Sequence, residues 1–235
     1  MAAKTNSDPV PSVWTRPQVA PRQPALSRAV IVREAIAILD EAGGEALSMR
    51  KLGARLNAGA TSFYRHVANR DELMELAVDE ILGEVVLPRT DGPDWRAGVS
   101  ECAMSFRSTA LRHPWLCAEL GRAGLAYLGP NLAAISERLA DLFTTVGLPD
   151  PHGAIDVVFS YAIGMSTTES AWLTTVARSG RTEAEFLAHI LPTEPGTDRG
   201  QPAPDPAPDH AAYRDRKFAD GLDIVLDGLA TRLAH

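Results

Sequence analysis

The 235-residue chain is 45% hydrophobic but only 6% aromatic, a balance that favours a packed helical core over disorder. Its formal net charge of −7 argues against a protein that coats nucleic acid non-specifically, yet leaves room for a local cationic patch, because affinity depends on the charge at the phosphates contacted. No apolar run is long enough to cross a membrane, the N-terminus lacks the apolar core of a signal peptide, and Cys102 and Cys117 form no CxxC pair. The expectation is a reducing, cytoplasmic setting with both thiols buried and no metal held by them.

Residues 1–25 contain Pro9, Pro11, Pro17, Pro21 and Pro24 without helical periodicity. They read as a flexible arm whose Lys4, Arg16 and Arg22 are available to a DNA minor groove. From Ser27, a good N-cap, Ile31, Ala35, Ile38, Leu39 and Ala42 recur at helical spacing until Gly43-Gly44 stops the run. Ser48 caps a second helix with Met49, Leu52 and Leu56 on one face, and Asn57-Ala58-Gly59 is a tight turn. A very short helix is expected from Thr61 to Val67. Asn69 and Glu72 then form a capping box for a further helix, with Leu73, Ala77 and Ile81 inward, that ends before Pro88. Beyond a loop at 88–94, helices are expected at 95–112, 115–121, 131–147, 153–178 and 182–190, and finally at 211–233, where Phe218, Leu222, Val225, Leu226, Leu229 and Leu233 form a stripe. The stretch 192–208 carries Pro192, Pro195, Pro202, Pro204, Pro206 and Pro208 and reads as a mobile loop. The fold class is therefore all-α. An N-terminal three-helix unit with a helix-turn-helix occupies 26–87, and a C-terminal helical domain occupies 95–235.

The short pair of helices at 48–67 carries the chemistry. Between Ala46 and Arg70 stand Arg50, Lys51, Arg55, Arg65 and Arg70 and no acid. Phe63 and Val67, four apart, would anchor the short helix inward. Thr61, Ser62, Tyr64, Arg65 and His66 would then project outward, offering hydroxyls, an Arg fork and an aromatic ring to base edges. Ser48, Arg50 and Arg70 lie where phosphates would run. Spacing alone leaves open an ordinary helical hairpin with a solvated basic face.

The segment Leu26–Val86 resembles the DNA-binding domain of the tetracycline-repressor (TetR) family, most specifically in Phe63-Tyr64-Arg65-His66-Val67 followed by Asn69-Arg70 and Leu73. The resemblance implies that Tyr64 and His66 hold phosphates, that Thr61, Ser62 and Arg65 face bases, that Arg50 reaches base or backbone, and that Arg70 binds a phosphate. It continues more faintly through Trp95, Ala103-Met104-Ser105-Phe106-Arg107, Phe218, Gly221-Leu222 and Leu226-Asp227-Gly228-Leu229. It further implies a homodimer built by 153–178 and 211–233, a double-stranded pseudo-palindromic operator read at half-sites roughly 34–36 Å apart, and a small effector that releases the protein from DNA.

The effector cavity is expected between the helices of 95–178, lined by Phe106, Trp115, Tyr127, Phe159, Ile163 and Trp172. The founding repressor of the family holds a magnesium–drug chelate with His and Asn side chains. The matching positions here are Val86, Cys102 and Tyr127, which favour an apolar, metal-free ligand. His113, His152 and His189 have no assigned role. No GxSxG, phosphate-binding glycine loop or HExxH is present, so no enzyme and no cofactor are expected. The alternative reading is a helical ligand-binding protein or enzyme without DNA binding.

Overall fold

A computed structural model of the chain describes residues 26–58, 62, 64–89, 94–123, 129–190 and 209–233. The N-terminal arm, the turn residue Gly59, Thr61, Phe63, Tyr127 and the proline-rich stretch 192–208 lie outside the described residues. Among those described there are nine α-helices, one 3₁₀ turn and no strand.

The first helix, α1 (Arg28–Ala42), starts where the Ser27 hydroxyl accepts the Val30 N–H, and stops at Gly43, whose φ of 76° places it in the left-handed region that glycine tolerates. Ile31, Val32, Ala35, Ile38 and Leu39 are its buried face. A 3₁₀ turn (Gly44–Ala46) leads to α2 (Met49–Arg55), capped by Ser48 through the Lys51 N–H. At α3 (Arg70–Leu82) the capping box is present. The Asn69 Oδ1 accepts from the Glu72 N–H at 2.8 Å, and the Glu72 carboxylate accepts from the Ala68 N–H at 2.6 Å, one residue upstream of the cap itself. Leu73, Met74 and Ala77 of α3 are buried, as are Ile81 and Leu82 near its end. Burying each large aliphatic side chain contributes about 1.5–3 kcal/mol.

The C-terminal helices are α4 (Trp95–Arg112), α5 (Leu116–Ala123), α6 (Pro130–Thr145), α7 (Pro151–Arg178), α8 (Glu183–Ile190) and α9 (His210–Ala230). Carboxylates cap three of them: Asp94 accepts from Ala97, Asp150 from Gly153 and Asp209 from Ala212. Pro130 and Pro151 stand at the first turns of α6 and α7, where a missing N–H costs nothing. The 28-residue α7 is the central post, packed against α4, α5, α6, α8 and α9, while α3 packs on α1 on one side and on α4, α5 and α6 on the other. One continuous core runs through both halves, from Ile31 to Leu229.

Candidate functional site

The segment that follows α2 ends on Val67, which is 1% exposed and fixes it to the core. Around that anchor the side chains divide. Tyr64 is 57% exposed, Arg65 is exposed, and Ser62 and His66 are half-buried. Arg50 and Ser48 on α2 are also exposed. The Arg28 guanidinium donates to the His66 carbonyl at 3.3 Å, tying the segment to the start of α1. Tyr64, Arg65 and Arg50 make no side-chain hydrogen bond or ion pair among the described residues. The Ser48 oxygen accepts its capping bond and leaves the O–H free to donate.

Two of the five cations of this stretch have internal partners. Arg55 pairs with Glu41 at 2.6 and 2.7 Å and also with Glu34. Glu41 is held below the usual carboxylate range, chiefly by the Arg55 hydrogen bond. Arg70 donates to the carbonyls of Leu47, at 3.1 Å, and Gly44, at 2.8 Å, and its remaining nitrogen lies 3.9 Å from Asp71. Expected as a phosphate contact, the Arg70 guanidinium here braces the turn before α2 against the start of α3. The paired acids on α1 were the missed signal, since Glu34 and Glu41, seven apart, share one helical face.

A second set of contacts joins the two halves. Asp40, on α1, accepts from the Trp115 indole at 2.7 Å and meets His113 Nδ1 at 2.7 Å. Glu84, just past α3, accepts from Arg112 at 2.5 Å, and the Val86 N–H donates to the Ser105 hydroxyl at 2.9 Å. Asp79 of α3 reaches the start of α6, where its carboxylate accepts from the Asn131 N–H at 2.9 Å and from its side-chain amide at 3.1 Å; that amide also donates to the Asp79 carbonyl. A Cβ at Gly129 would collide with the Asp79 carboxylate, so only glycine permits this approach. Asp79 thus caps α6 from another helix, with its charge at the positive end of the helix dipole.

Of the six expected lining residues Tyr127 lies outside the described residues, and the other five do not border one cavity. Phe106 and Phe159 meet at a void of only about 10 Å³ between α4, α6 and α7, bounded also by Cys102 and Val85. Trp115 is 5% exposed and engaged with Asp40 at the junction of the two halves. Ile163 is partly buried against the core. Trp172 stacks edge-on with Phe186, donates to Glu183 at 2.6 Å and borders an outer cleft of about 350 Å³ with Tyr213 and Lys217. The larger space, about 400 Å³, lies elsewhere, between α3, α5 and the start of α6. Burial pushes the Cys102 thiol up to about 12. It is therefore a protonated thiol at neutral pH, a poor stand-in for a hard metal ligand.

The sequence profile described as "Tetracyclin repressor-like, C-terminal domain" matches residues 87–233. The chain belongs to the tetracycline-repressor family. It is 40% identical over 164 residues to an HTH-type transcriptional regulator of Saccharopolyspora erythraea, covering 68% of this chain and 69% of that one. It is 32% identical over 180 residues to the HTH-type transcriptional repressor DrrR1 of Streptomyces coeruleorubidus, covering 75% of this chain and 66% of that one. Its fold superposes on the TetR family protein ActR of Streptomyces coelicolor, solved in complex with actinorhodin, with a TM-score of 0.67 and 30% identity over 87% of this chain and 95% of that one.

This family member is therefore a DNA-binding transcriptional regulator of all-helical build. Its α7 and α9 cross tightly: the Tyr161 hydroxyl donates to the Phe218 carbonyl at 2.8 Å and packs over Gly221. The apolar stripe of the last helix is largely taken up inside the subunit, with Phe218, Leu222, Leu226 and Leu229 all buried. What these two helices leave uncovered is a different face. On α7 it holds Val157 and Gly164; on α9 it holds Tyr213, Gly228 and Ile224, which is 73% exposed. Above it, Arg107 is 5% exposed. It grips Glu169 with two bonds of 2.7 Å and Asp215 with one of 2.8 Å, and lies 5.2 Å over the Phe218 ring. Burial works against its charge, but these carboxylates more than offset that and hold its pKa above the ordinary value.

Proposed function

We propose that this regulator represses transcription by laying the segment at 61–67 into the major groove of an operator, and that an effector bound near α3 releases it. The observation that carries the reading is the division around Val67: its buried side chain holds the segment down while Tyr64 and Arg65 have no internal partner among the described residues. Unpaired donors on a short anchored segment suit phosphates and base edges. Ser48, Arg50 and Lys51 extend the contact to the flanking backbone, with Thr61, Ser62 and His66 completing it. Arg70 acts as the brace of this unit instead of as a contact.

Two copies are expected to present two such segments through the uncovered face of α7 and α9. Exposed Val157 and Ile224 supply apolar area, and Gly164 and Gly228, each with open space over the Cα, let partner helices approach closely. The regulator's site of action is with the DNA, in the cytoplasm. For the effector, the cleft beside α3 supports a small, largely apolar molecule. A ligand there touches the helix that joins the DNA-facing unit to the rest, and its coupling to DNA must be reciprocal, typically about 1–3 kcal/mol.

A mobility-shift titration on duplexes from the region upstream of its own coding sequence tests the reading and separates it from a ligand carrier or enzyme without DNA binding. Tyr64→Ala and Arg65→Ala should each weaken the shift by about 1–3 kcal/mol, roughly 5- to 150-fold, with unchanged helical content. Undiminished binding by both variants would overturn the assignment.

A further inference from the structure

The cleft of about 400 Å³ between α3, α5 and α6 has an unusual electrical lining. Met74, Leu76, Leu120 and Leu132 provide an apolar floor. Around it stand five carboxylates, of Asp71, Glu72, Glu75, Asp79 and Glu119, against two guanidinium groups, of Arg70 and Arg122. Several of these charges are already engaged. Glu72 closes the capping box, Asp79 holds Asn131, and Arg70 is bonded to the Gly44 and Leu47 carbonyls.

Glu119 has no such hydrogen bond and, unlike the exposed Glu75, is largely covered. It is 7% exposed and lies against Gly44, and no hydrogen-bond donor reaches it among the described residues. The cation within 4 Å of it among the described residues, Arg122, forms a loose ion pair at 3.7 Å, is more than half exposed, and is shared with Glu45 at 3.4 Å. A carboxylate that meets water only through a cleft and has no close partner is costly, and 3.7 Å is beyond hydrogen-bond reach. An incoming ammonium would supply what is missing, while the adjoining apolar floor would take a hydrocarbon or aromatic tail.

We infer that this cleft binds an amphiphilic organic cation, with its ammonium paired to Glu119 and its apolar part lying along Met74, Leu76 and Leu120. The inference deepens the effector reading above and rests on it only for the consequence at DNA. A molecule seated there contacts α3 together with α5 and α6, and so sets the angle at which the DNA-facing unit is carried.

Calorimetric titration of the full chain, without DNA, tests the site with three probes of similar shape: 4-phenylbutylammonium, 4-phenylbutanol and 4-phenylbutyrate. The cation should bind at least about tenfold more tightly than the neutral or anionic probe, and Glu119→Gln should lose about tenfold of that affinity. Arg122→Ala should move it the other way, because it removes the internal competitor for Glu119. Leu76→Trp, which fills the floor, should abolish binding and decides the matter if Glu119→Gln fails to fold. Equal binding of the three probes, no binding of the cation, or indifference to these substitutions would overturn the inference. If the cation binds as expected but leaves operator affinity unchanged, the site stands and the effector reading falls.

Discussion

Two arginines show how differently the halves of this molecule use the same side chain. Arg65 is exposed and has no internal partner among the described residues, whereas Arg107 is 5% exposed, with both faces of its fork bonded to carboxylates on α7 and α9. A free guanidinium at a surface adds little to folding, but it is a ready donor to phosphate or guanine. A buried one whose partners depend on it is a structural pin. The DNA-facing unit is thus held together by aliphatic burial and by Arg55 and Arg70, leaving its outward cations available. The C-terminal half keeps Arg107 and Arg214 inside a network with Glu169, Asp215 and Glu183.

The largest expected effect tests that contrast directly. Arg107→Met should destabilise the fold by about 3 kcal/mol, since it leaves the buried Glu169 with only its Arg214 bond. Arg65→Met should change stability by less than about 0.5 kcal/mol. Urea unfolding of both variants checks this, and equal losses would erase the distinction. A smaller effect should come from the joint between the halves. Asp79→Ala removes the cap that α3 provides for α6 and should cost about 1 kcal/mol. It should also weaken the link between effector binding and DNA release, read as a smaller shift in operator affinity at saturating effector. The smallest is a pH effect. Burial opposes the charge on Glu183, but its bonds to Arg214 and the Trp172 indole outweigh this and hold its pKa below the ordinary 4.5. Its contribution is therefore fully present above that value and lost as the pH falls through the lower folded value. Trp172 fluorescence should change in that acidic window before global unfolding, and should not do so in Glu183→Gln.

Local signals in the sequence carried the helices well. Ser27, Ser48 and Asn69 cap where their hydroxyl and amide oxygens predict, and the expected 95–112 is Trp95–Arg112. The expected 153–178 begins two residues earlier, because Pro151 fits the first turn and Asp150 caps it. The outward set of Tyr64, Arg65 and Arg50 was legible from the spacing of the expected anchors, Phe63 and Val67, of which Val67 is buried and Phe63 lies outside the described residues. The cavity was not. Trp115 and Phe106 are both large and apolar, and only the packing shows that one bonds to Asp40 while the other fills a core void. The internal roles of Arg55 and Arg70 were hidden for the same reason: their partners, Glu34, Glu41 and the Gly44 and Leu47 carbonyls, come close only once α1, α2 and α3 are assembled.

The central claim is that two copies of the segment around Tyr64 and Arg65 enter one duplex together. Selection of binding sites from a random duplex pool, followed by hydroxyl-radical footprinting on the winner, tests it most directly. The expected result is an inverted repeat with two protected patches about one helical turn, roughly 10 base pairs, apart on the same face. A single patch, or an enriched sequence with no two-fold symmetry, would contradict it.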